Sequence, residues 1–335
     1  MDTQSNSSVA PAFAGKRVLI TGGLGFIGSN LARTLACAGA RVTLVDSMIP
    51  NTGASLFNVA GIESQVQINI SDVRDAHSLQ YLVQGQDFLF NLAGQTSHMD
   101  SMEDPLTDLA VNASAQLSLL EVVRRHNPTL SVVFASTRQI YGRPQYLPVD
   151  ERHPLEPVDV NGINKLAGEW YHLLYARVYD LHTCVLRLTN TYGPRMRIKD
   201  ARQTFVGVWI RNILEGKPIE VWGGTQLRDF TYVDDAVSAL LLGALRPAAQ
   251  GRVFNLGGEA AISLVDLARL LIELHGGGEL VIREFPEARK KIDIGDYYAD
   301  IRLARTVLGW EPAVPVREGL KRTLDFFGSH ISQYV

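Results

Sequence analysis

Two cysteines in 335 residues are too few to staple a fold, and Cys37 and Cys184 lie too far apart for a zinc-binding spacing. No metal site is expected, and both thiols read as small buried apolar side chains. No stretch approaches the roughly 18 consecutive apolar residues of a membrane span, and the opening MDTQSNSSVAPAFAGK has no apolar signal core. These absences predict a cytoplasmic protein with a flexible polar tail over residues 1–15. An excess of charge is missing too: 32 Lys and Arg against 35 Asp and Glu give a formal net charge of -3. The basic residues are scattered, so neither nucleic acid nor a membrane surface is an expected partner. No internal repeat or low-complexity region is visible.

What is present is a rhythm. From Lys16 onward short apolar runs (RVLIT, RVTLVD, QVQINI, DFLFNLA, SVVFAS, TCVLRL) alternate with helical patterns, the longest near 105–125 and 162–179. Nearly continuous apolar strands separated by helices predict an α/β fold, a doubly wound parallel sheet covered on both faces. After about Thr191 the pattern loosens into Gly- and Pro-punctuated pieces. We expect a dinucleotide-binding domain over 16–190, with 233–258 returning to it, and a smaller C-terminal α/β substrate-binding lobe over 191–335.

The first strand runs into Thr21-Gly22-Gly23-Leu24-Gly25-Phe26-Ile27-Gly28. Gly22, Gly25 and Gly28 allow a tight turn and close backbone approach, and the free N–H groups and dipole of the following helix stabilise a pyrophosphate. This makes the sheet Rossmann-type. Asp46 ends the second strand about twenty residues on, where a carboxylate accepts both ribose hydroxyls of an adenosine. It repels a 2′-phosphate, and Ser47 and Met48 supply no guanidinium, so NAD is expected rather than NADP.

The glycine pattern with Phe26-Ile27-Gly28 closely resembles the extended short-chain dehydrogenase/reductase family of NAD-dependent sugar-nucleotide epimerases, dehydratases and decarboxylases. Further motifs follow in the family's order over roughly residues 16–328. Asp72-Val73 resembles its adenine-contacting pair, Asn91-Leu92-Ala93-Gly94 with Gln95 its fourth-strand motif, and Ser136-Thr137 before Ile140-Tyr141-Gly142 its catalytic hydroxyl segment. Lys165 fits the active-site lysine at the nicotinamide ribose. The stretches from Leu186 to Arg195 and from Arg228 to Asp235 resemble two substrate-lobe motifs, and Leu308 to Pro312 a late one. The resemblance implies Ser136, Arg138, Asn190, Arg195 and Arg228 as substrate-binding residues. The family's late arginine falls at Asp293 here, so Lys291 or its neighbours Arg289 and Lys290 are expected to replace it at a diphosphate. The helices from about Pro105 and Gly162 resemble the pair that family members pack into a homodimer.

The pattern breaks at one position. Members usually carry Tyr-x-x-x-Lys, whose phenol takes the sugar hydroxyl proton; this chain has Asn161-Gly-Ile-Asn-Lys165, and an amide cannot act as a general base near neutral pH. Three readings follow. His98, oriented by Asp100, performs the proton transfer; the Thr137 hydroxyl relays it through water towards Lys165; or turnover has been lost and an NAD- and nucleotide-sugar-binding module remains. Arg138-Gln139 also replaces the Asp-Glu pair typical of 4,6-dehydratases. Without those carboxylates, the leading expectation is an epimerase acting on a nucleotide-diphosphate sugar through a transient keto sugar with tightly bound NAD, and a dehydratase or decarboxylase is the alternative. Arg138 itself suits a substrate carboxylate or phosphate. The segments around Gln95 and Ser136 look somewhat like 2-epimerases of CDP-linked dideoxy sugars.

Overall fold

The computed structural model describes residues 9–50, 52–201, 204–285 and 293–335. Six strands, β1 (Arg17–Thr21), β2 (Arg41–Asp46), β3 (Val66–Ile70), β4 (Phe88–Asn91), β5 (Ser131–Thr137) and β6 (Thr183–Leu188), precede four short ones. These are β7 (Asn190–Tyr192), β8 (Ile219–Trp222), β9 (Leu227–Arg228) and β10 (Phe230–Tyr232), and β11 (Arg252–Asn255) follows them. The main sheet is seven-stranded and parallel, in the order β11-β6-β5-β4-β1-β2-β3. In β1, β5 and β6 every residue but those at the ends is buried, as parallel strands covered on both faces require.

The helices are α1 (Phe26–Cys37), α2 (Ala76–Leu82), α3 (His98–Glu103), α4 (Pro105–Leu109), α5 (Ala115–His126), α6 (Val160–Tyr179), α7 (Phe205–Leu214), α8 (Val233–Leu245), α9 (Leu264–His275) and α10 (Val316–His330). The expected helix near 105–125 is α4 and α5 joined through a π turn at Ala110–Ser114. Successive strand residues point to opposite faces. Val18 and Ile20 pack with Leu31 and Leu35 of α1 and Val237 and Leu240 of α8, whereas Leu19 packs with Leu79, Leu119 and Tyr175 of α2, α5 and α6. A separate core of Trp209, Ile213, Leu267, Leu271, Leu324 and Phe327 joins α7, α9 and α10 into the smaller lobe.

Two expectations need correction. The tail read over 1–15 is not free in its second half: Ala10–Phe13 forms a 3-10 turn, and the Phe13 ring is fully buried 4.8 Å from Phe88. Burying such a ring contributes about 2 kcal/mol towards holding the turn against the sheet. Of the two cysteines only Cys184 is buried; Cys37 is exposed, because it ends α1 beyond the packed residues Leu31, Leu35 and Ala36. Among the described residues no helix is long and apolar enough to cross a membrane.

The strand order fixes where a ligand sits. From β1 the chain moves outward through β2 and β3, then returns to β4 on the other side of β1. The crevice beyond the carboxyl ends of β1 and β4 is therefore the switch point of the sheet, the ligand site of doubly wound folds.

Candidate functional site

At the end of β1 the backbone turns at Gly22 with φ +67°, where a Cβ would stand 3.0 Å from Ala93 N. A Cβ on Gly28 would stand 2.2 Å from the Gly22 carbonyl oxygen, so only glycine lets α1 start this close to the turn. Thr21 Oγ1 donates to Asn91 Oδ1 (2.9 Å) and accepts from Leu92 N (3.1 Å) and Ala93 N (3.2 Å), locking the ends of β1 and β4 together. The result is a glycine cradle under the N-terminus of α1, shaped for a pyrophosphate.

Asp46 closes β2 with its carboxylate accepting Leu24 N at 3.1 Å and Met48 N at 2.9 Å. Burial pushes its carboxyl above the usual range, and those two N–H groups partly offset the shift. Asp72 forms a fork with Arg74 (2.9 and 2.6 Å), whose guanidinium holds its carboxyl below the usual range. The residues expected at a dinucleotide, Gly22, Gly25, Phe26, Ile27, Gly28, Asp46, Asp72, Val73, Leu92, Ala93, Gly94, Gln95 and Lys165, all line one cavity of about 360 Å³. Such a volume suits an organic ligand.

Ser136, Thr137, Arg138, Asn161, His98 and Asn190 line the same cavity. The Lys165 ammonium donates to the Ala135 carbonyl at 3.0 Å and lies 4.9 Å from the centre of the Phe134 ring. Burial pushes its pKa down to about 8, with the charge of Asp108 opposing the shift. One turn earlier on α6, Asn161 Nδ2 donates to the Gln95 carbonyl (2.8 Å) and to Asp108 Oδ2 (3.0 Å). Both neighbours are acceptors, so the amide orientation is fixed and Oδ1 is left to accept. Asn164 Nδ2 binds the other oxygen of Asp108 at 2.8 Å.

His98 stands at the N-terminus of α3 with Nδ1 2.9 Å from Asp159 Oδ2, a close contact whose alignment falls short of a hydrogen bond. The carboxylate in contact with the ring is thus Asp159, the N-cap of α6, where the sequence pointed to Asp100 on the ring's own helix. Asp159 also accepts Gly162 N (2.7 Å) and Gln139 Nε2 (2.9 Å). Burial would raise its pKa, but these bonds and His98 hold its carboxyl below the usual range.

Other expected residues are placed less simply. The Ser136 hydroxyl donates to Glu169 Oε2 at 2.8 Å, inside a buried pair between Glu169 and Arg187. Thr137 Oγ1 accepts Gln139 N at 3.2 Å. Arg138 donates from Nη2 to Asn190 Oδ1 at 3.0 Å, with its guanidinium 5.3 Å from the Tyr297 ring centre, and burial lowers its pKa. Arg228 is buried outside the cavity lining, Nη1 donating to its neighbour's carbonyl and Nη2 3.6 Å from Asp293. Arg195 is a correction: it does not line the cavity but donates to Asn30 Oδ1 at 2.8 Å and covers the Phe326 ring. Lys291, with Arg289 and Lys290, lies outside the described residues.

Sequence reasoning missed Asp108, Asp159 and Glu169. A signal existed for Asp159, an aspartate just ahead of a helical pattern, which is where N-caps fall. Asp108 and Glu169 sit within helices and carry none.

Residues 18–257 match the model of the NAD dependent epimerase/dehydratase family. The chain is 33% identical over 323 residues to UDP-glucuronic acid decarboxylase 1 of Xenopus tropicalis, covering 93% of this chain and 72% of that protein. It is 31% identical to a putative UDP-glucose 4-epimerase of Methanocaldococcus jannaschii, covering 92% of this chain and 97% of the relative. Among solved structures, UDP-glucose 4-epimerase of Thermotoga maritima with UDP-glucose superposes with a TM-score of 0.86 at 30% identity, over 94% of this chain and 99% of that one.

Proposed function

The chain belongs to the NAD-dependent epimerase/dehydratase family, and we propose that within it this protein epimerises a nucleotide-diphosphate sugar through a transient keto sugar. NAD, when bound, supplies a reversible hydride acceptor. The glycine cradle and Asp46 would hold its pyrophosphate and adenosine ribose, Asp72, Val73 and Leu92 to Gln95 would flank its adenine and carry it across the sheet, and Lys165 would bind the nicotinamide ribose. The space refused to a Cβ at Gly28 supports this fit.

The observation that carries epimerisation over dehydration is Gln139. Its amide is bonded to Asp159, and beside it stands a guanidinium, so among the described residues positions 138 and 139 supply no pair of carboxyls to remove water from a sugar; the lining carboxylates Asp46 and Asp72 lie at the β2 and β3 end of the cavity. Thr137 and the Asn161 carbonyl oxygen would position the reacting hydroxyl. Arg138, Asn190 and the nearby Arg228 would hold the anionic parts of the donor, with Ser136 supporting the segment through Glu169. A second reading, a nucleotide-sugar-binding protein without turnover, is favoured by the amide at 161.

We further assign a cytoplasmic homodimer. Ile163, Trp170, Leu174 and Val178 recur along one exposed face of α6, and Leu106 and Leu109 are exposed on α4. An apolar face of this kind marks an interface. Sedimentation of Trp170→Glu as a monomer beside a dimeric wild type would support it.

The functional test is anomeric-region NMR of wild type incubated with NAD and UDP-, GDP-, CDP- or dTDP-hexoses. New signals from at least one donor are expected. An NAD-loaded wild type that leaves every donor unchanged would favour the binding reading.

A further inference from the structure

Epimerisation through a keto sugar needs a group that accepts a hydroxyl proton and gives it back, and the amide at 161 cannot. Thr137 is a neutral hydroxyl already holding Gln139 N, and Lys165 directs its ammonium at the Ala135 carbonyl. Of the titratable side chains lining the cavity among the described residues, Asp46 ends β2, three strands from β5 in the sheet, a separation on the order of 14 Å. Asp72 lies beyond β3, one strand farther, and Arg138 has no acceptor lone pair. His98 is left.

We propose that His98, oriented by Asp159, takes and returns the proton of the sugar hydroxyl; this rests on the epimerase reading above. The Asp159 side chain is fully buried, while that of His98 is 38% exposed and lines the cavity. Though not aligned as a hydrogen bond, a buried carboxylate 2.9 Å from Nδ1 attracts the ring proton to that nitrogen by its charge, leaving Nε2 a bare acceptor, the arrangement of a base backed by an aspartate. His98 and Asn161 also share one knot: Ser101 Oγ donates to the His98 carbonyl at 2.7 Å and accepts Asn161 N at 3.3 Å. The base is thereby fixed to the residue that replaces the phenol.

The step balances within the proposed reaction. NAD, when held in the cradle, would accept hydride from the sugar carbon, and the O–H bond breaks with that loss. Its proton passes to Nε2 and its electron pair completes the C=O bond. Hydride then returns to the opposite face and His98 gives the proton back to oxygen, so no outside oxidant is consumed.

Two measurements on the full-length, NAD-loaded protein test this. In the first, histidine-labelled protein without sugar is studied by ¹⁵N NMR, the His98 signals being assigned by their loss in His98→Gln. Nε2 is expected at the position of an unprotonated imidazole nitrogen in wild type, and as a protonated nitrogen in Asp159→Asn, which keeps the capping oxygen of α6. A protonated Nε2 in wild type overturns the proposal. In the second, with whichever donor wild type converts, His98→Gln loses roughly 10²- to 10⁴-fold in kcat, the usual scale of a missing acid–base group, while KM and NAD content stay near wild type. A His98→Gln enzyme that keeps wild-type kcat overturns it as well. Failure of wild type on every donor strikes the epimerase reading instead, and the nitrogen measurement separates the two.

Discussion

Asn161 turns its amide nitrogen to Asp108 at 3.0 Å, so the side chain standing where the family's phenol is expected is anchored to a buried carboxylate. That contact makes a simple restoration unfavourable. In Asn161→Tyr a larger ring enters a site that is 2% exposed, and its phenolate would form beside an anion that opposes it. Expected are turnover no higher than wild type and a loss of about 1–3 kcal/mol in stability from overpacking, read by steady-state kinetics and urea unfolding.

Gly28→Ala tests the cradle. The added Cβ meets the Gly22 carbonyl oxygen at 2.2 Å, and backbone cannot yield as a flexible side chain can. NAD retained through purification should fall at least about tenfold, the equivalent of roughly 1.4 kcal/mol in binding, with the sheet still folded by circular dichroism. Undiminished NAD content would place the dinucleotide elsewhere.

Lys165 links the site to stability. Burial lowers its pKa from 10.5 to about 8, so below pH 8 the ammonium is charged in both states and the folded protein carries the full cost of burying it. Between pH 8 and 10.5 the unfolded chain binds more protons, and stability rises with pH. Lys165→Met removes that slope. In cofactor-free protein at pH 7 the variant should be more stable, by up to about 3 kcal/mol, and its advantage should vanish towards pH 10.5.

His172 adds an acid limb of the same sign. Its ring stacks 4.3 Å from Phe134, and burial lowers its pKa from 6.5 to about 4. The unfolded state therefore binds more protons between pH 6.5 and 4, and stability is lost as pH falls through that window. His172→Gln, which keeps a donor for the Gly168 carbonyl, should lack this loss. A difference between the two proteins that stays constant from pH 7 to 4 in urea midpoints would contradict it.

The sheet, the glycine turn and the cofactor end of the cavity were legible because their signals are local. A strand buried on both faces reads as a run of apolar residues, and a turn that excludes Cβ atoms reads as glycine. The catalytic end was legible only as residue types. That His98 faces Asp159 rather than Asp100, that Ser136 binds Glu169 and that Arg195 turns to Asn30 depend on contacts between distant segments. Spacing says nothing about such contacts. Cys37 illustrates the same limit at small scale: its type favours burial, but its place at the last turn of α1 decides otherwise.

The bond from Gln139 to Asp159 also bears on how this pocket could change. A glutamate at 139 would set two buried carboxyls within hydrogen-bonding reach, and one would have to keep its proton or break the contact that orients His98. Single replacements towards acid–base dehydration chemistry therefore pass through a weakened protein. A change of reaction by that route therefore calls for residues 139 and 159 to change together.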